Sequence, residues 1–298
     1  MHTKRFSVGL NLDPDIEKFR RFLDRFHMEL ASIYYSLPLG SAFYSRNEIE
    51  DEFAVPGSEE KLYRFLQLMD DYHIHKELAL NINNLSSEQI RMAIDSIKIS
   101  GIIPDEIVCL KEYGDQIKNA FPDIELKYSF NNTDYTHIPD CFDSVVVGKS
   151  FLRSMQARHR LLAAGFKVIV LLNNGCSFNC HAFCGDADCC MSYLQENLKH
   201  YTAVELYAIQ SIFPFEYQRM LNEDPYASEY RFKLSTRPLG IDYTTSTMEA
   251  YLGIRDAKDL ILADQTNYAL FGVMHAFSHF CDEFGYDEIV RIKQNLPI

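Results

Sequence analysis

Strand-like apolar runs alternate with amphipathic helical segments along most of this chain, and that alternation leaves few folds open. Residues 6–12, 31–36, 77–82, 106–110, 125–129, 144–148 and 167–172 read as strands. Between them, residues 14–28 read as a helix opened by Asp13 as N-cap with Pro14 in its first position, and residues 59–72 as a second helix. A third starts after Ser86 and runs to about Ile99, and residues 150–164 form a fourth. Strands joined by crossover helices predict a parallel sheet, and right-handed crossovers close it into a (β/α)8 TIM-like barrel. Residues 231–235 supply the eighth strand, while 204–208, also strand-like, read as an extended lead into the loop that begins at Gln210. A doubly wound open sheet is the competing fold, but no Gly-rich phosphate loop follows the first strand. The expectation is one barrel-like domain over residues 1–298, with a cysteine-rich, lid-like insertion at 173–228 and a C-terminal helical segment at 245–298.

Charge and segment lengths exclude several classes of function. A net charge of −13, with Lys and Arg scattered, disfavours nucleic-acid binding. No apolar run reaches the length of a membrane span, and residues 1–10 lack the apolar stretch of a secretory signal. A cytoplasmic, reducing compartment is expected, so structural disulfides are not.

Five of the eight cysteines fall between Cys176 and Cys190, directly after the seventh strand. The segment also carries Gly, Asn, Asp and Ser, too polar a set to be buried whole, which points to thiolates gathered around a soft cation. Cys176, Cys180, Cys184, Cys189 and Cys190 are the candidate donors. Gly175 and Gly185 give the backbone freedom to turn its amides toward cluster sulfurs. An iron–sulfur cluster held by thiolates of this segment is one reading; structural zinc, with His181 as a possible nitrogen ligand, is the other. Cys109, at a strand end, and Cys141, in the next polar loop, are the more distant candidates for a fourth ligand; Cys281 sits among phenylalanines and reads as core.

Active sites of such barrels lie at the C-terminal strand ends. Tyr34, Tyr35, Asn81, Asn83, Cys109, Ser129, Asn131, Lys149 and the stretch from Lys233 to Arg237 fall there. For most of them alone, rim solvation or a satisfied backbone group is the stronger reading; their convergence is the signal. His275 and His279 lie four apart on a helical stretch without the Glu of a metalloprotease motif, His73 and His75 read as solvated caps at a helix end, and the acidic residues 48–52 as a solvated loop. Phe213, Phe215, Tyr217 and Tyr226 read as exposed aromatics of a pocket lid or a partner surface.

With these residues in place, the chain resembles a known family. Asn173-Asn174-Gly175-Cys176-x-x-x-Cys180 after a strand, Ile212-Phe-Pro-Phe-Glu-Tyr-Gln218 opening a helix, and Phe232-Lys233-Leu-Ser-Thr-Arg237 look like the barrel half of the collagenase-like U-32 peptidase superfamily. That superfamily includes iron–sulfur proteins of oxygen-independent hydroxylation in ubiquinone biosynthesis. The resemblance implies a [4Fe–4S] cluster held by four cysteines at the barrel mouth, with Lys233 and Arg237 near the same opening, orienting an anionic group of a small organic substrate. It departs from the family at Cys184, which follows a second three-residue gap, and at the Cys189-Cys190 doublet. No Ser-His-Asp order supports protease action. A redox enzyme is the expected class; the alternative is a zinc- or cluster-stapled barrel that serves as partner or electron-relay subunit. A radical adenosylmethionine enzyme is a minor alternative, since its Cys-x-x-x-Cys-x-x-Cys motif follows the first strand and not the seventh.

Overall fold

A computed structural model describes residues 4–40, 43, 47–82, 85–129, 137–148, 152–173, 212–235, 240–256, 286–296 and 298. Eight parallel strands close into a barrel in sequence order: β1 (Phe6–Gly9), β2 (Leu30–Tyr35), β3 (His75–Leu80), β4 (Glu106–Cys109), β5 (Glu125–Ser129), β6 (Ser144–Val147), β7 (Lys167–Leu171) and β8 (Arg231–Leu234). β8 returns to β1 with Lys233 opposite Ser7. The described helices are α1 (Ile16–Phe26), α2 (Asn47–Ala54), α3 (Ser58–Asp71), α4 (Ser87–Ser100), α5 (Gly114–Ala120), α6 (Met155–Ala163), α7 (Pro214–Glu223), α8 (Gly240–Tyr251) and α9 (Tyr286–Gln294). The (β/α)8 reading of the sequence therefore holds, and residues 204–208 lie outside the described residues.

Each strand is two-sided, and this decides what fills the barrel. Outward residues such as Val8, Ile33, Leu78, Ile107, Leu126, Val145, Val170 and Phe232 are buried in one continuous apolar layer with Phe19 and Phe22 of α1, Phe65 of α3 and Ile94 of α4. Alternate residues point into the lumen, where Val108, Val146 and Ile169 form a second, smaller apolar cluster with Ala79 and Leu171.

Local chemistry sets the helix ends. Ser86 accepts the N–H of Gln89 (3.2 Å) while the Gln89 side chain accepts the N–H of Ser86 (2.8 Å), a reciprocal capping box, and Gly101 at φ 69° ends α4. Three readings need correction. Asp15, not Asp13, caps α1 by accepting the Lys18 N–H at 2.7 Å, because the Asp13 N–H is held by Asn11 Oδ1 (2.7 Å) in a turn ahead of the helix. The acidic run lies in α2 and not in a loop; its Glu52 accepts the Leu12 N–H, which ties the helix to the end of β1. His75 opens β3 and does not end a helix, and His73 occupies the left-handed turn between the two, at φ 53°.

Candidate functional site

The lumen is layered from the N-terminal ends of the strands upward. The first layers are ionic. Lys127 on β5 donates to Glu77 Oε2 on β3 at 2.7 Å and to Glu106 on β4. Lys233 on β8 donates to Glu77 Oε1 (2.5 Å), and Arg231 on β8 to Glu106 Oε1 (2.6 Å). β8 does not neighbour β3 or β4 in the sheet, so these pairs cross the barrel interior. The hydroxyls of Ser7 and Ser32 each donate to Glu77 Oε2 at 3.0 Å, His75 Nδ1 sits 2.9 Å from Glu106 Oε1, and Lys167 reaches Glu125 at 2.6 Å. Glu77, Glu106 and Lys127 are excluded from solvent, while the His75 side chain stays half exposed at the N-terminal face.

Charge pairing fixes the ionisation of this core. Burial works against the Glu77 carboxylate, yet the Lys127 and Lys233 ammoniums outweigh it and hold its carboxyl down to about 2. For Glu106, burial is likewise overcome by Lys127, His75 and Arg231, and its carboxyl lies well below the usual range. Burial alone would discharge Lys127, but the two carboxylates raise it above the ordinary lysine value. The hydrogen bond to Glu106 raises His75 against the effect of its partial burial.

Above the ionic layers lies the apolar cluster of Val108, Val146 and Ile169, and above that a rim of amides and hydroxyls. Asn81 Nδ2 donates to Ser129 Oγ (3.2 Å), Asn173 Oδ1 accepts the Ser235 N–H (2.6 Å) and its Nδ2 donates to the Ser235 carbonyl (3.3 Å). The Tyr34 hydroxyl donates to the Leu234 carbonyl at 3.1 Å, and the Lys233 ammonium stands 4.1 Å from the Tyr34 ring centroid. The mouth thus offers hydrogen-bonding groups around an apolar floor, with Lys233 the cation that borders it among the described residues.

The structure pairs Asn81 with Ser129 and Lys233 with Tyr34. It moves others away. Tyr35 and Cys109 are buried on the outer side of the sheet, and burial raises the Cys109 thiol far above its ordinary value. Cys141 packs partly buried against the same outer layer, where burial and then Asp115 push its thiol up to about 11. Neither thiol faces the mouth. Phe213 and Tyr217 are buried and not exposed, since α7 packs Tyr217 edge-on to Phe232 at 4.8 Å; Tyr226 is exposed. Cys176, Cys180, His181, Cys184, Cys189 and Cys190 lie outside the described residues, as do Asn83, Asn131, Lys149, Arg237, His275, His279 and Cys281.

Sequence reading missed Glu77, Glu106, Lys127 and Arg231. A signal was present: in Glu125-Leu-Lys-Tyr-Ser129 and Arg231-Phe-Lys-Leu234, charge alternates with apolar residues. In a barrel whose outer face is covered by helices, those alternate charges point into the lumen.

The fold makes the chain a (β/α)8 barrel protein with an ionic lumen. No protein-family model matches it, and no curated protein does. Similar solved structures include the UMP synthase of Leishmania donovani (12% identity, TM-score 0.44, covering 84% of this chain and 53% of that one), of which the chain spans about half the length. A chain of the Pyrococcus furiosus tryptophan synthase complex is 14% identical, with a TM-score of 0.43 and coverage of 85% and 99%. A putative orotidine-monophosphate decarboxylase of Toxoplasma gondii is 11% identical, with a TM-score of 0.43 and coverage of 86% and 91%. At these identities the likenesses imply nothing about chemistry.

Proposed function

We propose that the chain is an iron–sulfur redox protein, an oxygen-independent hydroxylase in type, that works on a small organic substrate at the barrel mouth. The observation that carries the reading is where the cysteine segment begins and ends. The residues that carry the cysteines follow Asn173, at the C-terminal end of β7, and precede Ile212, whose N–H donates to the Leu172 carbonyl at 2.7 Å. Both ends of the cysteine-bearing stretch are therefore anchored at the rim where barrel enzymes carry out their chemistry. The donor set fits a cluster: five thiols within fifteen residues exceed the four that a [4Fe–4S] centre takes, and thiolates select iron–sulfur or zinc over harder ions.

Cys176, Cys180, Cys184 and Cys189 or Cys190 would hold the cluster, which supplies one-electron chemistry when bound. The residues of the barrel do the rest. Asn81, Ser129 and Asn173 line a hydrogen-bonding rim, the apolar floor excludes water, and Lys233 with Arg237 orients an anionic group of the substrate. Glu77 keeps Lys233 in place, and because Lys127, Ser7 and Ser32 also bond Glu77, a Lys233→Ala variant should fold and retain the cluster. The test is iron, sulfide and zinc analysis of anaerobically purified protein, wild type and Cys180→Ser. Matched iron and sulfide, with a visible charge-transfer band lost in the variant, is the expected result; colourless protein with about one zinc per chain overturns it.

A further inference from the structure

At the N-terminal end of the lumen, two buried oxygens are left without a protein partner. Ser144 opens β6, in register with Lys127 of β5 on one side and with Lys167 of β7 on the other. Val146, two residues on, belongs to the lumen cluster, so the Ser144 side chain points into the lumen as well. It is fully buried, and its hydroxyl has no hydrogen-bond partner among the described residues. Glu125 lies two residues before Lys127, on the same face of β5. Its Oε2 accepts from Lys167 at 2.6 Å, while its buried Oε1 has no hydrogen bond among the described residues and lies 3.7 Å from Arg231 Nη1. Nη1 is already committed to Glu106 Oε1 at 2.6 Å, and the remaining guanidinium N–H groups make no hydrogen bond among the described residues. Folded proteins rarely leave buried oxygens unpaired, because each has given up its bonds to water for nothing in return.

We propose that this corner of the lumen is a binding site for one internal water, which donates to Glu125 Oε1 and accepts from the Ser144 hydroxyl and from an Arg231 N–H. About three protein partners is the usual complement of a buried water. The gap between Arg231 and Glu125 is too long for a direct hydrogen bond, and such gaps between polar groups are where bridging waters sit. Charge decides against an ion. A cation would face Lys127, Lys167 and Arg231, and an anion would have to lie against the Glu125 carboxylate. A neutral molecule that both donates and accepts satisfies all three groups at once. Through it β5, β6 and β8 are joined in one layer, although no direct hydrogen bond links Ser144 to Glu125 or Arg231. Ser144 is sealed from solvent, so the water is part of the fold and not of the surface.

Crystal structures of the full chain, wild type and Ser144→Val, at a resolution that shows individual ordered waters, test this. In the wild type a single peak is expected within hydrogen-bond distance of both Ser144 Oγ and Glu125 Oε1, refining as a fully occupied water without anomalous signal. In Ser144→Val, whose two methyl groups take the place of the hydroxyl and press into the site, the peak should be lost. A wild-type map in which Glu125 Oε1 and Ser144 Oγ bond protein groups directly, or in which the peak refines as chloride or a metal ion, would overturn the proposal. So would a water that keeps its place and occupancy in Ser144→Val, since Ser144 would then not be one of its ligands. The wild-type map decides by itself if the variant does not fold.

Discussion

Lys127 joins the two buried carboxylates of the barrel interior. It is fully buried and bonds both Glu77 and Glu106, so Lys127→Met leaves two carboxylates facing each other without the cation between them. The expected cost is about 3–5 kcal/mol in urea unfolding, because removing one partner strands buried charge. Replacing a surface pair such as Arg64–Glu60 should change stability by less than about 1 kcal/mol in the same assay. Glu77 adds a pH signature. Its carboxyl lies at about 2 in the folded chain against an ordinary value near 4.3, so its stabilisation is complete above that ordinary value and is lost as pH falls toward 2. Acid unfolding should therefore steepen in that window, and Glu77→Gln should lower stability at pH 7 while flattening the acid limb.

The elements were legible in the sequence to the extent that their signals are local. Strand positions followed from apolar runs that mark the outer face of the sheet, and Ser86 announced α4 because a capping box is complete within four residues. Ser86→Ala should cost about 1 kcal/mol, measured by urea unfolding. Where two local signals compete, the sequence misled. Asp13-Pro14 looks like a helix start, but Asn11 takes up the Asp13 N–H and shifts the cap to Asp15. The acidic stretch at 48–52 looks solvated, yet the chain uses it as a helix tied to β1 through Glu52. Phe213 and Tyr217 looked exposed because nothing near them in sequence reveals that α7 lays Tyr217 on β8 and β1, or that Lys293 stands over Phe213.

At the scale of the whole molecule, the lumen was hidden for a different reason. Lys233 and Glu77 are 156 residues apart, and Arg231 and Glu106 are 125 apart; only closure of the barrel makes them neighbours. Closure also brings β7 and β8 side by side, so that Asn173 and Ser235 join across the rim and Ile212 returns to Leu172. The cysteine stretch and its start after the seventh strand were evident from the sequence, while the return of Ile212 to Leu172 followed only from the fold. The proposed function requires an iron-containing centre at that mouth. Diffraction from crystals of anaerobically purified protein, recorded on both sides of the iron and zinc absorption edges, tests it most directly. An iron-specific anomalous peak beside the C-terminal ends of β7 and β8, near Asn173 and Ser235, is the expected result. A zinc-specific peak there, or iron bound away from the mouth, would contradict it.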